Sequence, residues 1–209
     1  MRLPTTAHTS RPWRVHALTP DFVVEDVWAL ATPGGPDELP RLVALMSAGR
    51  FPDDLPPVVR VLWAVRRRLG AAFGWDGGDG GLGARVPSLR DRLPDDLRAP
   101  GAGAAGSPFS PLYEAPDEWA AELANRTVHS VLHLGWVADE RDGGYRGQLT
   151  VLVRPNGRFG AAYMAAIAPF RYLLVYPALL RDVERRWRAQ DRPARAGTTG
   201  PAAREHRGG

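Results

Sequence analysis

Two histidines four residues apart, His129 and His133 in the run NRTVHSVLHLGWV, are the residues best suited to proton chemistry. Imidazole is the side chain whose charge ordinarily changes near neutral pH. A spacing of four makes a metal-ligand pair on a helix, but this valine- and leucine-rich run reads as a strand. In a strand, residues four apart share a face yet lie about 13 Å apart, too far for one metal ion. Strand alternation then leaves two places for them. Val128, Leu132, Leu134 and Trp136 occupy the opposite face, so a sheet with a single buried face puts those four inside and both imidazoles in water. A sheet bordering a cavity instead places the imidazoles beside it, where each serves as acid, base or hydrogen-bond anchor. Spacing alone assigns neither an acid partner.

The second group is aromatic. Seven tryptophans in 209 residues favour either a large aromatic core or an aromatic-lined pocket. Trp28, Trp119 and Trp136, with Tyr163, Ile167 and Phe170 from the last third of the chain, are the expected lining, and Tyr163 joins His129 and His133 as a polar anchor.

Composition removes many other chemistries. The chain has no cysteine, and all 27 of its basic side chains are arginine. Disulfides, thiolate zinc sites and thiol nucleophiles are excluded, as are a P-loop and Schiff-base chemistry on lysine. Gly78, Gly80 and Gly83 spell GxGxxG, but they follow a helix pattern and precede Pro87, so the strand-to-helix turn of a dinucleotide site is missing. Asp76 and Asp79 lack the further spaced acids of a calcium loop. Asn125, Arg126 and Thr127 form a sequon that reads as a turn, and Arg66, Arg67 and Arg68 read as the solvated side of a helix. No GxSxG or HExxH motif occurs. No metal and no cofactor are expected.

Charge is concentrated at the ends. With 23 acids the formal net charge is +4, and Arg2, Arg11 and Arg14 at the start, with four arginines after residue 190, account for the excess. The body is close to neutral, so specific nucleic-acid binding is not expected. The opening MRLPTTAHTSRP lacks the apolar segment of a secretory signal, which points to a cytoplasmic protein.

The elements that must position these residues can be read in order. Trp13 to Ala17 and Phe22 to Leu30 read as strands. After the breakers Pro33 to Pro36, Asp37 is placed to cap a short helix holding Leu39, Leu42, Val43 and Met46. A second helix follows Pro56 and Pro57, with Val58, Leu62, Val65, Leu69 and Phe73 on one stripe. Residues 74–111 hold nine glycines and five prolines and read as a loop with one short turn around Leu89 to Leu97. Order returns at Phe109 to Glu114, and Asp117 to Leu123, Val128 to Val137 and Tyr145 to Arg154 read as an antiparallel meander, with turns near Asn125 and at Asp142 to Gly144. From Phe159 to Trp187 apolar residues recur every three or four positions, the pattern of a long helix. Pro169 and Pro177 require a start, break or kink within it. Ala161 to Leu180 is long enough to span a bilayer, but Arg171 at its centre would cost roughly 3 kcal/mol there, so a buried helix is expected and no transmembrane span.

This layout resembles a known family. The segments PWRVH at 12–16, DFVVEDVWAL at 21–30, NRTVHSVLHLGWV at 125–137 and NGRFGAAYMAAIAPFRYLLVYPALL at 156–180 are similar to those of actinobacterial members of the domain-of-unknown-function family numbered 2867. Asn156, Gly160, Tyr163, Pro169 and Phe170 carry the most specific part. The resemblance implies an α+β fold of the START-like helix-grip type, a curved antiparallel sheet wrapped around a long C-terminal helix, with two shorter helices. Such domains bind lipids, polyketides, hormones or other small apolar molecules, and some are cyclases or hydrolases. The resemblance transfers no catalytic residue. Residues 12–190 are expected to form the single domain, with 74–111 as an insertion, and residues 1–11 and 191–209 to be disordered ends. The leading expectation is a protein that binds a small apolar molecule between sheet and terminal helix. The alternatives are an enzyme of cyclase, dehydratase or hydrolase type using His129 or His133 in that cavity, and a membrane-peripheral or interaction protein.

Overall fold

The computed structural model describes residues 1–48, 52–73, 82, 86–98, 108–125, 127–140 and 143–190; the side chains at 69, 72, 73, 158, 159, 161 and 163 lie outside that description. Tyr163, the glycine motif, Asp76, Asp79 and the tail from 191 therefore have no structural account here.

Five strands form one antiparallel sheet: β1 (Val23–Ala29), β2 (Ser110–Glu114), β3 (Glu118–Ala124), β4 (Val128–Asp139) and β5 (Gly144–Pro155), in the order β1-β5-β4-β3-β2. Strands β3 to β5 are the expected meander; β2 adds a strand beside β3, and β1 pairs with β5 at the other edge. Its turns follow from local chemistry. The Asn125 carboxamide oxygen accepts from the Thr127 and Val128 amides at 2.8 and 3.1 Å, folding the sequon asparagine into an Asx turn. At the β4–β5 hairpin Gly143 takes a φ of 69°, which a β-carbon disfavours.

Both faces of this sheet are covered. The even-numbered positions of β4 face α3 (Leu39–Ser47) and α6 (Tyr176–Gln190), and Trp28, Trp119, Leu134, Trp136 and Leu149 pack there with Leu39, Leu42, Tyr176, Val183 and Trp187. The odd-numbered side carries Val131 and Val137, joined by Ala120, Tyr113 and Leu152. It is covered by Trp13, Val15 and Leu18 from the N-terminal segment and by Leu89, Leu93 and Leu97 from two 3-10 turns. Each fully buried aliphatic side chain contributes about 1.5–3 kcal/mol. Double coverage is why most of β4 is buried and neither of its faces is turned to solvent.

The N-terminal residues depart from expectation. Trp13 to Ala17 is not a strand: α2 (Val15–Leu18) is a single helical turn, and what the alternation marked is a segment lying across the sheet. Residues 1–11, expected to be disordered, are built into the fold. Leu3 donates to the Val27 carbonyl and Ala29 to that of Met1, both at 2.8 Å, extending the sheet along β1. The short α1 (Thr6–Thr9) then buries His8.

Helix α4 (Pro57–Phe73) stands where the second helix was expected. The terminal stripe divides into α5 (Gly157–Phe170), a π-helical segment (Arg171–Val175) and α6, with Pro169 just before the π segment and Pro177 just after it. Neither proline can donate a backbone bond to the preceding turn, and the helix accommodates both by widening between them. Among the described residues, no helix is long and apolar enough to cross a membrane.

Candidate functional site

The two histidines stand on the face covered by the N-terminal segment, and neither reaches water: His129 is 1% exposed and His133 0%. The reading that placed them in solvent assumed one buried face, and the second layer removes that assumption. Each has an acid partner on β3. His133 Nε2 lies 2.9 Å from Glu118 Oε2, and His129 Nε2 lies 2.8 Å from Glu122 Oε2. Ala120 pairs with His133 and Ala124 with His129 across the ladder, so each glutamate stands diagonally from its histidine.

The two carboxylates are saturated by the layer above them. Glu118 also accepts from the Tyr113 hydroxyl at 2.8 Å and from the Arg14 amide at 2.7 Å. Glu122 accepts from the Ser88 hydroxyl at 2.5 Å and the Leu89 amide at 3.1 Å. Burial pushes both carboxyl groups up, but these donors and the neighbouring histidines outweigh it and hold both below their ordinary value. Burial pushes His133 down, against the opposing pull of Glu118. A neutral His133 with its proton on Nε2, donating to an ionised Glu118, satisfies both directions. Its Nδ1 then carries a lone pair with no hydrogen-bond partner. His8 packs edge-on at 5.1 Å between ring centres and bonds Thr150 at 3.2 Å; burial, then the neighbouring His133 and His16, lower its pKa to about 3.

A second polar cluster lies on the opposite face, where β1 meets the π segment. A β-bulge between Val24 and Asp26 lets the adjacent Glu25 and Asp26 serve one partner. Arg171 reaches Glu25 Oε1 at 2.6 Å and Asp26 Oδ2 at 3.3 Å, while Tyr176 donates its hydroxyl to that Asp26 oxygen at 2.6 Å. Residues five apart on an α-helix stand about 140° apart, and the wider π turn brings Arg171 and Tyr176 to the same carboxylate. Burial, then the Asp26 charge, push the Tyr176 hydroxyl far above its ordinary value. Arg171 stays firmly protonated: burial lowers it, but Glu25 and the Tyr176 and Asp26 oxygens outweigh that. The Tyr176 ring lies 4.8 Å from that of Trp28, and Arg2 covers Tyr172 at 4.4 Å. Three buried atoms in this cluster have no hydrogen-bond partner: Asp26 Oδ1, Trp28 Nε1 and Arg171 Nε.

The structure thus separates the residues expected to share one cavity. Trp28, Trp119 and Trp136 face the terminal helix and His129 and His133 face away from it, so a cavity on the helix side cannot use either imidazole. Trp136 donates to the Gly35 carbonyl at 2.8 Å and packs on Trp187. Ile167 is half-buried beside Met164, Val128 and Val153, and Phe170 is exposed. Sequence reasoning missed Glu118, Glu122, Asp26, Arg171 and Tyr176. The first two were signalled by an E-x3-E run matching H-x3-H on the next strand of the meander. Nothing in the sequence marks the bulge that puts Glu25 and Asp26 on one arginine. Among the described residues, no group of three or more histidine and acidic side chains could hold a metal ion.

Comparison with known proteins yields a family and nothing finer. No curated protein and no solved structure matches the chain. A family model described as Protein of unknown function (DUF2867) matches residues 18–178, which takes in the whole sheet, the π segment and every residue of the Asp26 cluster except Arg2. The match covers well over half of the chain, and the protein belongs to that family.

Proposed function

We propose that the protein binds a small, largely apolar molecule between the tryptophan-bearing face of the sheet and the terminal helix, in a START-like helix-grip arrangement, with the Asp26 cluster as its polar anchor. The observation that carries this reading is a set of three buried polar atoms without a hydrogen-bond partner: Asp26 Oδ1, which has only the Arg2 guanidinium at 3.8 Å, Trp28 Nε1 and Arg171 Nε, on side chains that pack on Tyr176 or share its carboxylate partner. Native interiors leave few polar atoms unsatisfied, because each costs about 1–3 kcal/mol. One acceptor and two donors beside aromatic rings suit a ligand whose apolar body stacks on Trp28 and whose polar end carries both a donor and an acceptor. The β-bulge and the π segment support the same place, since both distortions are frequent at functional sites.

Native mass spectrometry of the purified chain tests the reading. The expected result is a co-purified small molecule, or saturable uptake of the fluorescent probe anilinonaphthalene sulfonate, either one reduced at least about tenfold by Asp26→Asn. A bare protein mass together with no probe uptake rules the reading out. A second reading, acid–base catalysis, is favoured by one feature of the other face: His133 is oriented by Glu118 and keeps a free Nδ1 lone pair, the arrangement of a general base. It requires the segment bearing His8 and Trp13 to lift, and hydrogen exchange in residues 6–18 faster than in β4 is its expected signature.

A further inference from the structure

Large apolar side chains stand in the open on two adjoining elements. On α4, Val61 is 62% exposed and Val65 is exposed one turn later; on the terminal helix, Phe170 is 53% and Leu173 74% exposed, with Leu174 beside them. Helix α4 packs next to the π segment, which puts the two exposed sets on neighbouring elements. The charge carried by α4 has a single sign. Residues 57–73 hold Arg60, Arg66, Arg67 and Arg68 and no acid, and Arg60, Arg67 and Arg68 are exposed among the valines. Val61, Val65 and Arg68 follow one another at spacings of four and three, which places cation and apolar groups on the same helical side. In sequence, Asp53 and Asp54 precede the helix and Asp76 follows it, and Glu25 is engaged by Arg171.

We propose that this face docks on an anionic membrane surface, with Phe170, Leu173 and Val61 entering the interfacial layer and the α4 arginines lying against lipid phosphates. Apolar side chains among cations are what such a surface attracts: burial draws in the former and the negative surface potential the latter. A second copy of the chain fits less well, because a symmetric contact would set one row of arginines against another. A nucleic acid would engage the arginines and leave the exposed leucines and phenylalanine uncovered. Docking here does not depend on the ligand reading above, since none of these side chains belongs to the Asp26 cluster.

Flotation of the full chain with phosphatidylcholine vesicles, with and without about one-third phosphatidylglycerol, is the test. The expected result is flotation with the anionic vesicles only, weakened by salt at about 0.5 M. It should fall by about tenfold or more in Leu173→Glu and in the double variant Arg67→Glu/Arg68→Glu. Unchanged far-ultraviolet dichroism and melting distinguish lost docking from lost folding. If those variants fold poorly, hydrogen exchange of the unmodified chain replaces them: protection at 61–65 and 170–174 on adding anionic vesicles supports docking, and none overturns it. The proposal also falls if the chain floats with neither vesicle, or if both variants float as well as the parent. It falls equally if neutralising Arg192, Arg195, Arg204 and Arg207 abolishes binding while the helix variants do not. A lipid-free dimer that Leu173→Glu converts to monomer assigns the face to a second copy instead.

Discussion

Glu118 holds three donors from three parts of the chain, His133 on β4, Tyr113 on β2 and the Arg14 amide in the N-terminal segment, and this makes one carboxylate a clasp for the layer that covers it. Glu122 does the same for the turn at Ser88 and Leu89. The protonation states behind these clasps set a direction for stability against pH. His8 has a folded pKa of about 3, below its ordinary 6.5, so as pH falls through about 6.5 the unfolded chain takes up a proton that the native site refuses. Stability attributable to His8 is complete above pH 6.5 and is lost on the way down to about 3, with a slope of at most about 1.4 kcal/mol per pH unit. His133, also lowered, acts in the same sense, and the depressed Glu118 and Glu122 add a further loss once pH drops below their unfolded value near 4.3. Urea unfolding between pH 8 and 4.5 should show this decline, and His8→Gln should flatten it. Parallel curves for parent and variant would mean that His8 titrates alike in both states.

At the scale of elements, the terminal helix must lie close against the β3–β4 turn while changing register between its two prolines. Gly160 permits the first. A β-carbon there would overlap the Thr127 carbonyl oxygen, which already accepts the Asn156 amide at 2.8 Å. Alanine is favoured over glycine by about 1 kcal/mol in a helix interior, but overpacking against rigid backbone costs about 1–3 kcal/mol, and here the obstacle is main chain with little freedom to move. Gly160→Ala should therefore destabilise the protein, by up to about 2 kcal/mol net in a denaturant titration; a stabilising result would show that α5 can slide along the sheet. The register change is the second device. Without the π turn, Arg171 and Tyr176 could not both meet Asp26, and the polar cluster that joins β1 to the terminal helix would come apart.

For the whole molecule, the decisive feature is that the sheet has no exposed face. Residues 1–11 were expected to add nothing, yet they lengthen the sheet edge beside β1, place Arg2 over Tyr172 and insert His8 beneath α2. Removing residues 1–11 should cost more than about 2 kcal/mol and lower the melting temperature by several degrees, because it uncovers His133 and Thr150 together with the edge amides of β1. An unchanged melt would make the segment a passive cover. The same coverage explains how much of the candidate site could be read in advance. The meander, the two shorter helices and the interrupted terminal helix follow from alternation, three-four spacing and the positions of the prolines, so they were legible. The partners of His129 and His133 were not, since alternation gives the parity of a residue and not the layer packed above it.

What the sequence alone determined is the order and type of the main elements, the chemistries that the absence of lysine and cysteine forbids, and the parity that puts Trp136 and His133 on opposite faces of β4. The tertiary structure decided which groups meet. A glutamate acquires its role from a histidine on the next strand and an amide about a hundred residues away, and Asp26 acquires its role from a bulge and a widened helical turn. Periodicity is local and survives in one dimension. Long-range pairing depends on strand register and on helices crossing a sheet, and these are fixed only when the whole chain packs.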